Sequence, residues 1–322
     1  MGEPPDTSRQ TPASDGAARG QFCSDANVGW VIALPSRIPL AQLPTPLERL
    51  DRLSAVWGGP TIWVKRDDLT GFELSGNKVR KLEFHLAAAR AAGADTVITC
   101  GAVQSNHCRA TALAAARLGI RSVLVVRTAD GQPVAPSGNH LLHHMSATEV
   151  VTITPEAYNE RDAVMNAVAA DQSARGHSCW IIPEGASDAL GMWGFVLAMR
   201  ELAEQFDAAG FDRPPTIWHA ASSGGTTAGM AWASDRLKLG TPVIASSVGD
   251  VAVDLATRVN AIWDEACDEF GGDRPHADLE ITDAYVGGGY AVIGPDELAV
   301  QRDATTLTGI LFDPTYTGKA LY

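Results

Sequence analysis

Two linked segments decide how this chain reads: Ser75-Gly76-Asn77-Lys78-Val79-Arg80-Lys81-Leu82-Glu83-Phe84 and Gly101-Ala102-Val103-Gln104-Ser105-Asn106-His107-Cys108-Arg109. In the first, a lysine follows Gly-Asn at the start of a helical run, where its amine can sit in a partly desolvated cleft. In the second, a Ser-Asn pair lies at a strand end and opens a helix, a place suited to holding an anion. Lys81 falls one helical turn beyond Lys78. A second cation there would lower the pKa of Lys78 or hold a phosphate.

Outward from these segments the chain alternates strands and helices. The pattern predicts strands at 61–65, 95–100, 121–126, 149–153 and 178–182. Helices are predicted at 79–92, 106–118, 139–145 and 157–175. A second run has helix 190–209, strand 216–221, a glycine-rich turn opening another helix, strand 242–248, helix 250–270 and an extended stretch near 281–290. This rhythm predicts an α/β fold of parallel sheets with helices on both faces, in two lobes with the site between them. The expected division is 35–88 with 190–322 as a larger domain and 89–189 as a smaller one. Residues 1–34, rich in Pro, Gly, Ser, Asp and Ala, read as a disordered tail, with an organelle transit peptide as the alternative.

The 322 residues carry 25 Lys and Arg against 38 Asp and Glu, a net charge of −13. Such an acidic chain is poorly suited to nucleic acid or anionic membranes, and no apolar run approaches a membrane span. The five cysteines form no CxxC or CxxH pair, so they read as free thiols in a reducing compartment rather than a disulfide framework or a zinc site.

The turn Ser222-Ser223-Gly224-Gly225-Thr226-Thr227-Ala228-Gly229 follows a strand and precedes a helix, so its amides can converge on a phosphate. It is neither a P-loop nor a Gly-x-Gly-x-x-Gly dinucleotide turn. A phosphate without a nucleotide signature, beside a reactive lysine, fits pyridoxal 5′-phosphate. A purely structural glycine turn remains the competing account.

These residues, together with Asp313-Pro314-Thr315-Tyr316-Thr317-Gly318-Lys319-Ala320, resemble the D-cysteine desulfhydrase and 1-aminocyclopropane-1-carboxylate deaminase family, over about residues 35–322. The resemblance implies a pyridoxal-phosphate enzyme with the two-domain tryptophan synthase β-like fold (fold type II). It implies Lys78 as the Schiff-base lysine and base, and Lys81 on the cofactor phosphate with the amides of Ser223, Gly224, Gly225 and Thr226. It places Asn106 on the ring hydroxyl, Ser105 on the substrate carboxylate or in proton relay, and Tyr290 and Tyr316 facing the substrate. His107 and Thr317 are expected to contact substrate as well.

Thr317 stands where the deaminase branch typically has glutamate, and His107 where it usually has glutamine. Both departures favour the desulfhydrase side: D-cysteine to pyruvate, hydrogen sulfide and ammonia. The alternatives are ring-opening deamination of aminocyclopropane carboxylate to 2-oxobutyrate, L-cysteate sulfo-lyase activity, or a weakly active cofactor binder. The resemblance further implies a cytoplasmic homodimer acting on a small amino acid. Family members usually continue past the Asp-Pro-x-Tyr segment into a helix, a strand and a turn that meets the pyridine nitrogen, so the chain ending at Tyr322 is expected to be a truncated form.

His140, His143 and His144 share a helix face at metal-binding spacing, but no carboxylate accompanies them, and a partly exposed face is the expectation. Arg80 and Glu83 read as an exposed i, i+3 ion pair of little consequence.

Overall fold

The apolar runs at 96–102 and 121–127 form the centre of a parallel sheet, and their continuous burial is what strands covered on both faces require. The computed structural model describes residues 34–71, 73, 76–276 and 280–322. Ser75 and all of the expected tail except Leu34 therefore lie outside the described residues.

A short antiparallel pair, β1 (Leu47–Arg49) and β2 (Trp63–Lys65), flanks helix α1 (Asp51–Trp57). Helix α2 (Lys78–Ala91) follows. The four-stranded sheet contains β3 (Thr96–Ala102), β4 (Arg121–Arg127), β5 (Glu149–Ile153) and β6 (Cys179–Ile181), in the order β5-β4-β3-β6, all parallel. Its connections are α3 (Asn106–Arg117), α4 (Gly138–Ser146), and the pair α5 (Pro155–Asn159) and α6 (Arg161–Ala174). A second parallel sheet, β7 (Ile217–Ala221), β8 (Val243–Ser247) and β9 (Glu280–Thr282), is entered from α7 (Trp193–Ala209). Its connections are α8 (Gly225–Arg236) and α9 (Ala252–Phe270), and α10 (Pro295–Thr308) and α11 (Thr317–Leu321) close the chain.

In the first sheet the chain runs outward from β3 to β4 and β5, then returns to the other side of β3 as β6. The strand order therefore reverses between β3 and β6. The loops leaving the carboxyl ends of two such strands diverge and open a crevice, the usual ligand position in α/β sheets.

Helix α2 borders this crevice and bridges two cores. Val79, Leu82, Leu86 and Ala89 pack with Val97, Ala110 and Ile182, whereas Phe84 packs with Trp193 and the α7–α8 core. Close approach of α7 needs glycine: a Cβ on Gly194 would lie 2.5 Å from the Arg80 carbonyl carbon and 2.7 Å from the Lys81 nitrogen.

The Arg80–Glu83 expectation is overturned, since both side chains are 1% exposed and they do not pair with each other. Arg80 instead bonds Asp67 (2.8 and 2.9 Å), Glu201 (3.0 and 3.2 Å) and the Thr45 hydroxyl (3.0 Å). Glu83 accepts from the amides of Leu40 (2.7 Å) and Ala41 (2.8 Å) and from Arg37 (2.8 Å). Packing of α2 on three sides buries every residue from Val79 to Leu86.

The expected helix 157–175 is two helices, broken at Glu160. Thr154 caps the first, accepting from the Ala157 amide at 3.2 Å, with Pro155 in its first turn. His140 and His143 are fully buried and His144 is exposed, so the three share a partly exposed face. The four described cysteines are free, and Cys23 lies outside the described residues. Among the described residues no helix is long and apolar enough to cross a membrane.

Candidate active site

Three turns meet at α2, one after each of β3, β6 and β7. Gly185 lies in the β6 turn, Gly185 and Gly225 are buried, and each stands against a lysine amine. A Cβ on Gly185 would lie 3.3 Å from Lys78 Nζ and 2.6 Å from Ser223 Oγ; one on Gly225 would lie 2.9 Å from Lys81 Nζ and 2.8 Å from Ser187 Oγ. Both lysines therefore converge on one cradle that only glycines leave open.

Lys81 is fully buried, and its Nζ donates to neutral oxygens, Ser187 Oγ (3.0 Å) and the Gly185 carbonyl (3.3 Å). Burial, and then the neighbouring Lys78 charge, hold its pKa well below that of an ordinary lysine. An anion placed beside this amine would offset the burial and the Lys78 charge and favour its protonated form. Ser223 Oγ shares a 2.7 Å hydrogen bond with Ser187 Oγ, and the first-turn amides of α8, from Gly225 and Thr226 onward, open beside them. Gly224, at φ +90°, makes the turn that aims these amides. Lysine, two hydroxyls and a helix N-terminus are a set that could hold a phosphate, with no nucleotide-reading element beside them.

Lys78 sits at the first position of α2. Burial pushes its pKa down to about 8, against the pull of the Glu184 carboxylate. About a tenth of the amine is then unprotonated at pH 7, against well under a thousandth for an ordinary lysine, and able to attack an aldehyde.

Across the crevice, Ser105 is the N-cap of α3, its Oγ accepting from the Cys108 amide at 3.1 Å. A Cβ on Gly101 would lie 2.5 Å from that Oγ, so the last turn of β3 needs glycine as well. Asn106 is exposed to the crevice. His107 is 4% exposed, and its Nε2 meets Thr99 Oγ1 at 2.8 Å, so its ring lies beneath the site against the four-stranded sheet rather than along the open crevice. Its place on the inner face of α3 turns it there.

Tyr290 and Tyr316 share a hydroxyl hydrogen bond of 2.8 Å, with ring centroids 6.0 Å apart. Burial raises both phenol pKa values, so both stay protonated. One hydroxyl proton is used between them and the other is left to face outward. Thr317 is exposed, and its Oγ1 donates to Asp313 Oδ1 at 2.7 Å, closing the turn before α11. That hydroxyl is committed to the turn and not to the crevice.

Sequence reasoning missed Glu184, Ser187, Tyr158 and Arg161. The Glu184 carboxylate accepts from the Tyr158 hydroxyl (2.6 Å) and pairs with Arg161 (3.0 Å), and the Tyr158 ring lies under Arg127 and Arg161. The break between α5 and α6 is what turns Tyr158 inward. A signal was present: Pro183-Glu184-Gly185-Ala186-Ser187 leaves a strand with the same Gly and Ser chemistry as the other two turns.

Residues 38–322 match the model of the pyridoxal-phosphate dependent enzyme family. The chain belongs to that family. It is 40% identical over 300 residues to a bifunctional D-cysteine desulfhydrase/1-aminocyclopropane-1-carboxylate deaminase, mitochondrial, of Arabidopsis thaliana, covering 90% of this chain and 73% of that one. It is 37% identical over 288 residues to a D-cysteine desulfhydrase of Yersinia pestis (88% and 86% covered). A solved ACC deaminase homologue superposes with TM-score 0.80 at 33% identity, over 89% of this chain and 85% of that one. A threonine deaminase at 20% identity and TM-score 0.60 shares the fold. This pyridoxal-phosphate dependent enzyme thus has the fold type II, tryptophan synthase β-like architecture, parallel sheets with helices on both faces.

The glycine cradle and the buried Lys81 fit the cofactor's phosphate, and Lys78 fits its aldehyde. With Lys78 near pKa 8, capture of pyridoxal phosphate by the apoprotein is expected to quicken about tenfold per pH unit below about pH 8 and to level off above it. Stopped-flow absorbance across pH 6–10 checks this, and a rate still climbing beyond pH 9 would place the Lys78 pKa elsewhere.

Proposed function

We propose that this enzyme carries its cofactor on Lys78 and removes the β-substituent of a small amino acid, D-cysteine first, which with one water gives pyruvate, hydrogen sulfide and ammonia. The observation that carries this reading is the convergence of the Lys78 and Lys81 amines on the Gly185–Ser187–Ser223–Gly225 cradle. Bound pyridoxal phosphate supplies an electron sink for the charge left at Cα. The chain supplies the rest. Lys81, Ser187, Ser223 and the amides of Gly224, Gly225 and Thr226 would hold the phosphate. Asn106 would donate to the ring hydroxyl oxygen. Ser105 and the amides at the α3 N-terminus would hold the substrate carboxylate. The Lys78 amine would accept the Cα proton. The outward hydroxyl of the Tyr290–Tyr316 pair delivers a proton to the departing sulfur.

The Thr317 position supports elimination over ring opening, since the side chain beside Tyr316 is a turn-closing hydroxyl and not a carboxylate. His107 is carried as a support under Asn106 and not as a substrate contact. We also propose the division into a larger domain (35–88 and 190–322) and a smaller one (89–189), a homodimer, and a cytoplasmic location, with import through residues 1–30 as the alternative.

The test offers the holoenzyme D-cysteine, L-cysteine, L-cysteate and aminocyclopropane carboxylate, and measures sulfide, sulfite, pyruvate and 2-oxobutyrate. Sulfide and pyruvate from D-cysteine are expected to dominate. Predominant 2-oxobutyrate from the cyclopropane would make the protein a deaminase. Sulfite from cysteate would make it a sulfo-lyase, and a visible cofactor band without any product a binder.

A further inference from the structure

The first turn of α4 lies against the turn that carries Ser105 and Asn106, and its contacts have a fixed polarity. Arg109 NH1 donates to Asn139 Oδ1 at 3.2 Å. A guanidinium has no acceptor, so this contact settles which end of the Asn139 amide is oxygen. Asn139 Nδ2 therefore points the other way, and both its protons are used, on the Gln104 carbonyl (2.9 Å) and on Asn106 Oδ1 (2.8 Å). The Asn106 oxygen is thereby occupied, and its Nδ2 is the end left for the crevice.

The surrounding contacts agree. The Asn139 backbone N–H donates to Gln104 Oε1 (2.9 Å), so Gln104 Nε2 is free to donate to the Ser137 carbonyl (3.1 Å). Gly138 permits this approach: at φ +53°, a Cβ there would lie 2.6 Å from Gln104 Oε1. His143 reaches the Ser105 carbonyl at 3.1 Å from the same helix. Arg109 also spans to the lysine side of the crevice, its NH2 lying 4.0 Å from where a Gly76 Cβ would stand.

We propose that Arg109 and Asn139 are positioning residues that set the Asn106 amide so that it presents a donor, and never an acceptor, to the ligand atom it meets. The inference rests on the functional reading above, in which that atom is the cofactor's ring hydroxyl oxygen. Asn139 touches no reacting atom and acts through Asn106 alone. A donor on that oxygen stabilises it as an anion, which makes the conjugated lysine–cofactor nitrogen less basic.

The experiment titrates the visible absorbance of the pyridoxal-phosphate-loaded protein against pH, for the unmutated chain, Asn139→Asp and Asn139→Ala, each also in an Asn106→Ala background. In Asn139→Asp the new carboxylate still accepts from Arg109 but offers Asn106 only acceptors, so the Asn106 amide turns its oxygen to the crevice. The pH at which the visible band is lost is expected to rise by about one unit, a tenfold shift in the protonation equilibrium. Asn139→Ala should move it the same way by less, and it carries the test if the aspartate variant fails to fold. With Asn106→Ala present, the position-139 changes should add nothing. An unshifted titration in folded Asn139→Asp, or a shift that persists undiminished without Asn106, would overturn the inference. No visible band in the unmutated protein would sink the functional reading itself, and this inference with it.

Discussion

Lys78→Ala is expected to abolish the borohydride-trappable visible band of the loaded protein and to lower turnover of D-cysteine by a factor on the order of a thousand or more. The size follows from the two duties proposed for one atom: capturing the cofactor aldehyde and taking the Cα proton. The rival amine is Lys81, but it is fully buried and held by Ser187 Oγ and the Gly185 carbonyl, aimed at the phosphate end of the cradle. Peptide mapping after borohydride reduction separates the outcomes. Label on Lys78 in the unmutated chain and none in the variant is the expected result. Label on Lys81 in either would reverse the two assignments, and undiminished turnover in the variant would remove Lys78 from the chemistry.

Arg80→Ala should be the largest single loss of stability among these residues, about 3–5 kcal/mol. Arg80 is 1% exposed and holds the carboxylates of Asp67 and Glu201 on opposite sides. Removing it leaves both acids desolvated and facing each other. Lys65, which also pairs with Glu201 and bonds Gln205 at 2.7 Å, compensates only the Glu201 side. Urea unfolding with tryptophan fluorescence measures the difference. A loss under about 1 kcal/mol would mean that water relieves the two acids and that the network is not the anchor described here.

The strand–helix alternation was legible because buried parallel strands and their crossover helices carry strong periodic patterns. Strands β3, β4, β5, β7 and β8 and helices α2, α3, α4, α8 and α9 lie close to their expected positions. What escaped was short or depended on partners far along the chain. Helices α1, α10 and α11 lack a long apolar period, and α10 is stopped by Gly309 rather than announced by its own pattern. The meeting of Lys78 and the glycine turn was readable because local chemistry marks both: glycine before a helix, lysine after Gly-Asn. Arg80 was misread for the same reason, since nothing within four residues reveals that Asp67 and Glu201 come to it. The turn that carries Glu184 had a local signal, but its meeting with Tyr158 had none, because it depends on the break at Glu160 and on the return of β6 beside β3. His107 was placed by its neighbour's role, and only the helix's rotation shows its ring turned inward onto Thr99.

The crowded first turns of α2 also bear on how such a scaffold can be recombined. Within four residues, Arg80, Lys81 and Glu83 commit to three different neighbours: the Thr45–Asp67–Glu201 cluster, the Ser187 turn and the Leu40–Ala41 amides. A chimera that grafts this helix from a relative inherits every one of those commitments at once. The smallest graft that stays whole is discontinuous, helix α2 travelling with positions 40, 41, 45, 67, 187 and 201, and crossover points drawn by sequence position alone will cut it.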